Sequence, residues 1–189
     1  MREEEAQRAK IKGQTSLRHR IEHVQILHPS DLTRLGQINV IASMQPIHAI
    51  TDMEAAGQLW GERTPYSYAW RTMLDTGAAL AFGSDSPVEP IEPLLGLHAA
   101  VTRRRANGFP GPDGWHPEQK LTMPEAVYAF TVGAAFAAGQ EKQQGSITPG
   151  KLADLTIFPQ DIFNIPPDDL LDMQIAGTIV GGTFRHRDW

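Results

Sequence analysis

A chain of 189 residues, 41% hydrophobic and 21% charged, is long enough for one sizeable domain, alone or with a small appendage, and too polar to be membrane-embedded. The net charge of −5 argues against nucleic acid as a partner, and the absence of cysteine excludes disulfides and thiolate metal sites, so any metal must be held by His, Asp, Glu or a modified side chain. No apolar run approaches the ~18 residues a spanning helix needs, and the start Met1-Arg2-Glu3-Glu4-Glu5 is unlike a signal peptide, so the expected location is the cytoplasm.

In chain order, residues 1–12 read as a charged helical lead, acidic early and basic late, ended by Gly13. Residues 17–25 fit a strand of period two that places His19, Ile21 and His23 on one face, although Leu17, Ile21, Val24 and His28 also fall at helical spacing. Pro29 opens a short helix, and residues 38–44 form a second β-branched run ending at Gln45-Pro46-Ile47-His48. Residues 52–77 read as two helical pieces broken near Thr64-Pro65. The apolar segment Ala78-Ala79-Leu80-Ala81-Phe82 then reads as a buried strand that ends at Gly83-Ser84-Asp85-Ser86-Pro87.

Pro93 starts another helix, with His98 on its apolar stripe as a packed core histidine. The basic run Arg103-Arg104-Arg105 suits a solvated helix end. Residues 107–114 are a loop, and Thr122-Met123-Pro124-Glu125 is a capping box opening a helix to about Gly139. Beyond it the character turns to β, with runs at 152–158 and 175–184. Strands alternating with helices imply a parallel α/β sheet, so the expected domains are 1–140 and a small β unit over 141–189.

Three strand ends carry polar groups: His23, His48 and Asp85. In a closed parallel barrel such ends face one mouth, where a histidine and an aspartate can share a metal such as zinc, which lowers the pKa of a bound water and polarises a carbonyl. Asp85 can then hold the ion and take a proton, while His48 or Arg71 orients the substrate. An alternative is that Asp85 only caps the turn that follows it. His19 and His23 cannot share one ion in an extended chain, where four residues span about 13 Å. Coiled into a helix, however, His19-Arg20-Ile21-Glu22-His23 would match the H-x-x-E-H pattern of an inverzincin-like zinc peptidase.

Taken together, Arg20-Ile21-Glu22-His23-Val24, Ala42-Ser43-Met44-Gln45-Pro46-Ile47-His48-Ala49, Ala81-Phe82-Gly83-Ser84-Asp85-Ser86-Pro87-Val88 and the segment from Gly145 through Gly150-Lys151-Leu152-Ala153-Asp154-Leu155 resemble the C-terminal half of amidohydrolase family 3. These are metal-dependent hydrolases of the urease-like superfamily. The resemblance implies a partial TIM-type barrel of about three C-terminal βα units, followed by a small segment of a composite β-sandwich. It makes His23 a metal ligand at the end of strand six and Asp85 a metal ligand and general base at the end of strand eight, and it makes Lys151 and Asp154 structural. It further implies hydrolysis of a non-peptide C–N bond, in an amide, cyclic amide or N-acyl group, by metal-activated water.

The pattern's His-x-His pair, its bridging carboxylated lysine or acidic residue and its strand-five histidine have no counterpart here. His23 and Asp85 are then two ligands where a catalytic zinc takes three, so the chain alone is expected to be inactive. The expected partners are a small amide-type substrate and either further copies of the chain or the missing N-terminal half. A catalytically dead assembly module of the same fold is the alternative.

Overall fold

In a computed structural model describing residues 17–189, β1 (Arg20–Glu22), β2 (Ile41–Met44) and β3 (Leu80–Phe82) form one parallel sheet in the order β1-β2-β3. The helical lead expected over residues 1–12 lies outside the described residues. Ala42 stands opposite Ile21 on one side and Leu80 on the other, so the β-branched run around Ile41 is the central strand, and it is almost wholly buried. β1 is exposed along its length, with Ile21 46% accessible, and its outer edge has no partner strand among the described residues. Because residues 20–22 are extended, the helix that the H-x-x-E-H reading requires is not formed.

The crossovers are helical. After β1 come a 3-10 turn (Pro29–Asp31) and the one-turn helix α1 (Arg34–Gln37). After β2 comes α2 (Pro46–Trp60), which begins six residues before the expected Asp52 because Pro46 supplies the φ of a first helical residue and needs no N–H partner there. A 3-10 stretch (Gly61–Tyr66) around Pro65 and then α3 (Trp70–Asp75) deliver the chain to β3, with the break where proline placed it. α4 (Pro93–Thr102) packs against α2, α5 (Met123–Tyr128) against α4, and α6 (Ala134–Ala137) against β3.

Between α5 and α6 the helix widens into a π segment, Ala129–Gly133, that packs against β3, where Phe130 meets Phe82 edge-on at 5.5 Å. Gly133 is needed there: a Cβ would lie 2.1 Å from the Leu80 carbonyl oxygen, a backbone atom that cannot rotate away. Gly133→Ala is therefore expected to push the helix off β3 and cost about 1–3 kcal/mol, read as a lower urea midpoint.

The tail forms a second, antiparallel sheet, β4 (Leu155–Ile157), β5 (Gly177–Val180) and β6 (Thr183–Arg187), ordered β4-β5-β6. Asp154 accepts the Gly181 N–H at 2.7 Å, closing the β5–β6 turn, and Lys151 Nζ donates to Ser146 Oγ at 2.7 Å. The tail is tied to the first sheet's helices by His98, 1% exposed, whose Nε2–H donates to Asp168 at 3.0 Å. Burial pulls the His98 pKa down, which keeps the ring neutral and suited to that role. His98 is a packed histidine, as its place on the apolar stripe predicts. Ahead of β1, the Arg18 guanidinium pairs with Glu141 at 2.6 Å, bringing the two ends of the parallel portion together.

The basic run departs from expectation. Arg103 is fully buried, in a left-handed conformation (φ 54°) at the end of α4, with its guanidinium 4.3 Å above the Trp70 ring. It donates to the carbonyls of Tyr68 (2.9 Å) and Trp115 (2.5 Å), and burial pulls its pKa down to about 9, still above neutrality. Arg104 bonds to Asp168, and Arg105 pairs with Glu54 at 2.8 Å. Among the described residues no helix is long and apolar enough to cross a membrane.

Candidate metal centre

Parallel order sends the carboxyl ends of all three strands to one edge of the sheet. His23 directly follows β1, His48 sits in the first turn of α2 after β2, and Asp85 lies three residues beyond β3. The ladder continues just past the strands, with His23 N–H bonded to Ser43 O at 2.7 Å and Gly83 N–H to Met44 O at 3.2 Å. There the chain turns sharply. His23 and Asp85 both have positive φ, 69° and 60°, a conformation that non-glycine residues keep only where their surroundings impose it and that is concentrated at working sites.

The three side chains converge. Nδ1 of His23 lies 3.8 Å and Nε2 of His48 3.7 Å from the same oxygen, Oδ2 of Asp85. One nitrogen from each ring and one carboxylate oxygen all fall within 4.8 Å of one another. The imidazole rings stack at 5.7 Å between centroids, with His48 buried and His23 and Asp85 partly open to solvent. The alternative role for Asp85 is not observed: Ser84 Oγ accepts the Ser86 N–H at 3.2 Å and so caps the turn, while the Asp85 carboxylate faces the histidines.

Two imidazoles and a carboxylate are a donor set for a divalent cation of the zinc type. Among the described residues neither nitrogen of buried His48 has a hydrogen-bond partner, and such a group beside a carboxylate fits a cation better than a dry core. The cluster is braced from behind. Thr51, one turn along α2 from His48, donates to Glu89 at 2.7 Å and so ties the helix to the loop that carries Asp85. Asp52 accepts from Tyr68 Oη at 2.6 Å and from Gln25 Nε2 at 3.5 Å; the buried Tyr68 hydroxyl has its pKa raised by desolvation and by this bond.

Sequence reasoning missed Gln45, whose Oε1 lies 3.0 Å from His23 Nδ1. Its position at the end of a strand run was the only available signal. It also missed Asp52, which the four-residue spacing from His48 on one helix could have suggested.

Arg71 is not brought into this cluster. Its Nη1 donates to Asp75 at 3.1 Å and to Glu125 at 3.0 Å, its Nη2 to Glu125, and its Nε to the Lys120 carbonyl at 3.2 Å. The reason is chemical: two carboxylates lie within its reach, and Glu125 is also the acceptor of the capping box, taking the Thr122 N–H at 2.8 Å.

The Arg71 hydrogen bonds hold the Glu125 pKa well below its ordinary 4.5, at about 2. A carboxylate depressed in the folded state adds stability that is fully present above the unfolded pKa and is lost as pH falls through the folded one. Between pH 4.5 and 2 the wild type is therefore expected to lose about 1 kcal/mol, a partly exposed pair's worth, that Glu125→Gln lacks at every pH; urea unfolding across that range checks it.

A sequence profile of the amidohydrolase family matches residues 2–186. The chain is 36% identical over 176 residues to Protein LONG AFTER FAR-RED 3 of Arabidopsis thaliana, covering 92% of this chain and 30% of that one. It is 28% identical over 184 residues to the N-substituted formamide deformylase of Arthrobacter pascens, covering 96% and 33%. In structure it is similar to a metal-dependent hydrolase of Pyrococcus horikoshii, with a TM-score of 0.69 and 27% identity over 84% of this chain and 32% of that one. The chain thus spans about a third of the length of the relatives it matches. A match over nearly every residue, in a chain whose parallel strands end in two histidines and an aspartate within reach of one another, makes it a member of the amidohydrolase family.

Proposed function

We propose that this chain is the portion of a metal-dependent amidohydrolase that carries the last part of a TIM-type barrel and a segment of an accompanying β-sandwich, and that it serves hydrolysis of a non-peptide C–N bond. The observation that carries this reading is the convergence of His23 and Asp85 from the ends of β1 and β3. His23, through a ring nitrogen, and Asp85, through Oδ2, would hold a divalent ion, zinc by preference because imidazole and carboxylate suit it. Once bound, the ion supplies a lowered pKa for water and polarisation of the substrate carbonyl. Asp85 keeps Oδ1 to accept the proton of the attacking water as the C–O bond forms and to return it to the nitrogen as the C–N bond then breaks, so that amide and water end as a carboxylate and an ammonium group.

The substrate class is an amide, cyclic amide or N-acyl amine, a choice supported by the activity for which the formamide deformylase relative is named. The unpartnered edge of β1 and the share of its relatives that the chain spans support completion of the barrel by further polypeptide, an N-terminal segment of the family or a second copy. The test is amine release from N-formyl, N-acyl and cyclic amides by the zinc-supplied chain, alone and with the N-terminal two thirds of a family relative added in trans. Chelator-sensitive hydrolysis in the mixture is expected. Hydrolysis indifferent to chelator would overturn the metal-dependent reading, and none with any substrate in either sample would leave a catalytically dead module of the same fold.

A further inference from the structure

His48, expected from the sequence to orient the substrate, is placed for a different task. We propose that His48 is a third protein ligand, so that His23, His48 and Asp85 hold a zinc-type ion within this chain and leave a fourth position open to substrate or water. The inference rests on the metal-dependent reading above and deepens it, because that reading needs only His23 and Asp85.

The first argument is what His48 lacks. Its side chain is 7% exposed, yet among the described residues neither ring nitrogen has a hydrogen-bond partner. Buried imidazoles are ordinarily bonded through at least one nitrogen, as His98 is to Asp168. A residue that only touched substrate in passing would not need to be buried and rigid, whereas a ligand gains from both. Proline and buried neighbours hold it in place, since Pro46, Ile47 and Ala49 around it are all buried in the first turn of α2.

The second argument is distance. At 3.7 Å, Nε2 of His48 is too far from Asp85 Oδ2 for a hydrogen bond, and Nδ1 of His23 stands at 3.8 Å from the same oxygen. Bonds of about 2.0–2.2 Å meeting at the tetrahedral angle put ligand atoms about 3.3–3.6 Å apart. These two spacings need to shrink by only a few tenths of an ångström to match, and since the three donor atoms together fall within 4.8 Å of one another, the two rings need also to draw together as the ion binds. An octahedral magnesium site, with bonds of about 2.1 Å at right angles, would need about 3.0 Å and oxygen donors. Two nitrogens and one oxygen at these spacings favour zinc or cobalt(II). The neighbour that competes for His23 is Gln45, 3.0 Å from Nδ1; His48 has no competitor.

The experiment is a calorimetric titration of the chelator-stripped chain with Zn2+, paralleled by Co2+ titration followed in the visible, where a four-coordinate site is intensely coloured. One equivalent is expected to bind, and His48→Ala and His48→Gln are each expected to weaken binding by at least about 100-fold and bleach the cobalt bands, as His23→Ala and Asp85→Ala do. His48→Gln keeps the bulk of the side chain and a polar end, so it carries the test if His48→Ala does not fold, with thermal melts confirming which variants are native. If both His48 variants bind within about threefold of the wild type while the His23 and Asp85 variants do not, the third-ligand assignment is overturned and the metal-dependent reading stands. If the wild type takes up no ion, the site is not complete in this chain and the assignment is overturned. If the His23 and Asp85 variants bind as the wild type does, the metal-dependent reading fails as well.

Discussion

Asp85→Asn is expected to lower chelator-sensitive amide hydrolysis by about 10³-fold or more, measured with the barrel completed in trans. The substitution keeps the shape of the side chain and one oxygen at the position 3.7 and 3.8 Å from the two histidines. What it removes is the negative charge facing those rings and the oxygen able to accept a proton. A carboxamide neither neutralises a divalent ion nor shuttles a proton at neutral pH, so ion retention and rate fall together. Asp154→Asn is the control, because Asp154 accepts the Gly181 N–H in the tail sheet and stands outside the cluster. It is expected to leave the rate within about twofold of wild type. Equal losses from the two substitutions would mean that Asp85 acts on the fold and not on the reaction.

The largest effect on stability is expected at Arg103. Arg103→Ala is expected to cost about 3–5 kcal/mol, enough to unfold much of the population of a marginally stable domain. Three losses combine. The Tyr68 carbonyl, 2.9 Å from Nη1, is left without its charged donor, and so is the Trp115 carbonyl. The guanidinium that lies 4.3 Å over Trp70 and 5.3 Å over Trp115 leaves a cavity between two indole rings, and its attraction to their faces goes with it.

Arg103→Lys is expected to recover little, since a single ammonium cannot span both carbonyls while lying flat on Trp70. Arg104→Ala, at the next residue of the same basic run but partly exposed and bonded to the exposed Asp168, is expected to cost under about 1 kcal/mol. Urea unfolding of the three variants separates these expectations. An Arg103→Ala protein as stable as Arg104→Ala would overturn the account of Arg103 as a structural cation.

Arginine 103 also shows where sequence reasoning stops. Three arginines at the end of an apolar helix read as a solvated terminus, and for Arg105, paired with Glu54 near the surface, that is close to what is found. Nothing local distinguishes Arg103 from its neighbours. Its burial depends on Trp70 and Trp115, which come to it from other segments of the chain, and on a left-handed backbone that turns it inward. Arg71 failed in the opposite sense: as a cation between two strand ends it could have met a substrate, but Glu125 and Asp75 are nearer. The π segment at Ala129–Gly133 has no sequence signature either, because an extra residue in a helical turn answers to what β3 presents to it.

Strand and helix types were readable because they rest on short-range chemistry: β-branched and apolar runs for β2 and β3, a proline at the start of α4, a capping box before α5. The same local logic put one ionisable group at each parallel strand end, at His23, His48 and Asp85, and four ordered motifs pointed to the family. How those groups meet is a matter of distance across strands that are far apart in sequence. Tertiary packing alone decided that the two histidines face one carboxylate oxygen, that His48 is buried with no hydrogen-bond partner among the described residues, and that Arg71 is turned away to Glu125. Residue types and their order fix what each element can offer, whereas contacts between elements fix which offers are taken up.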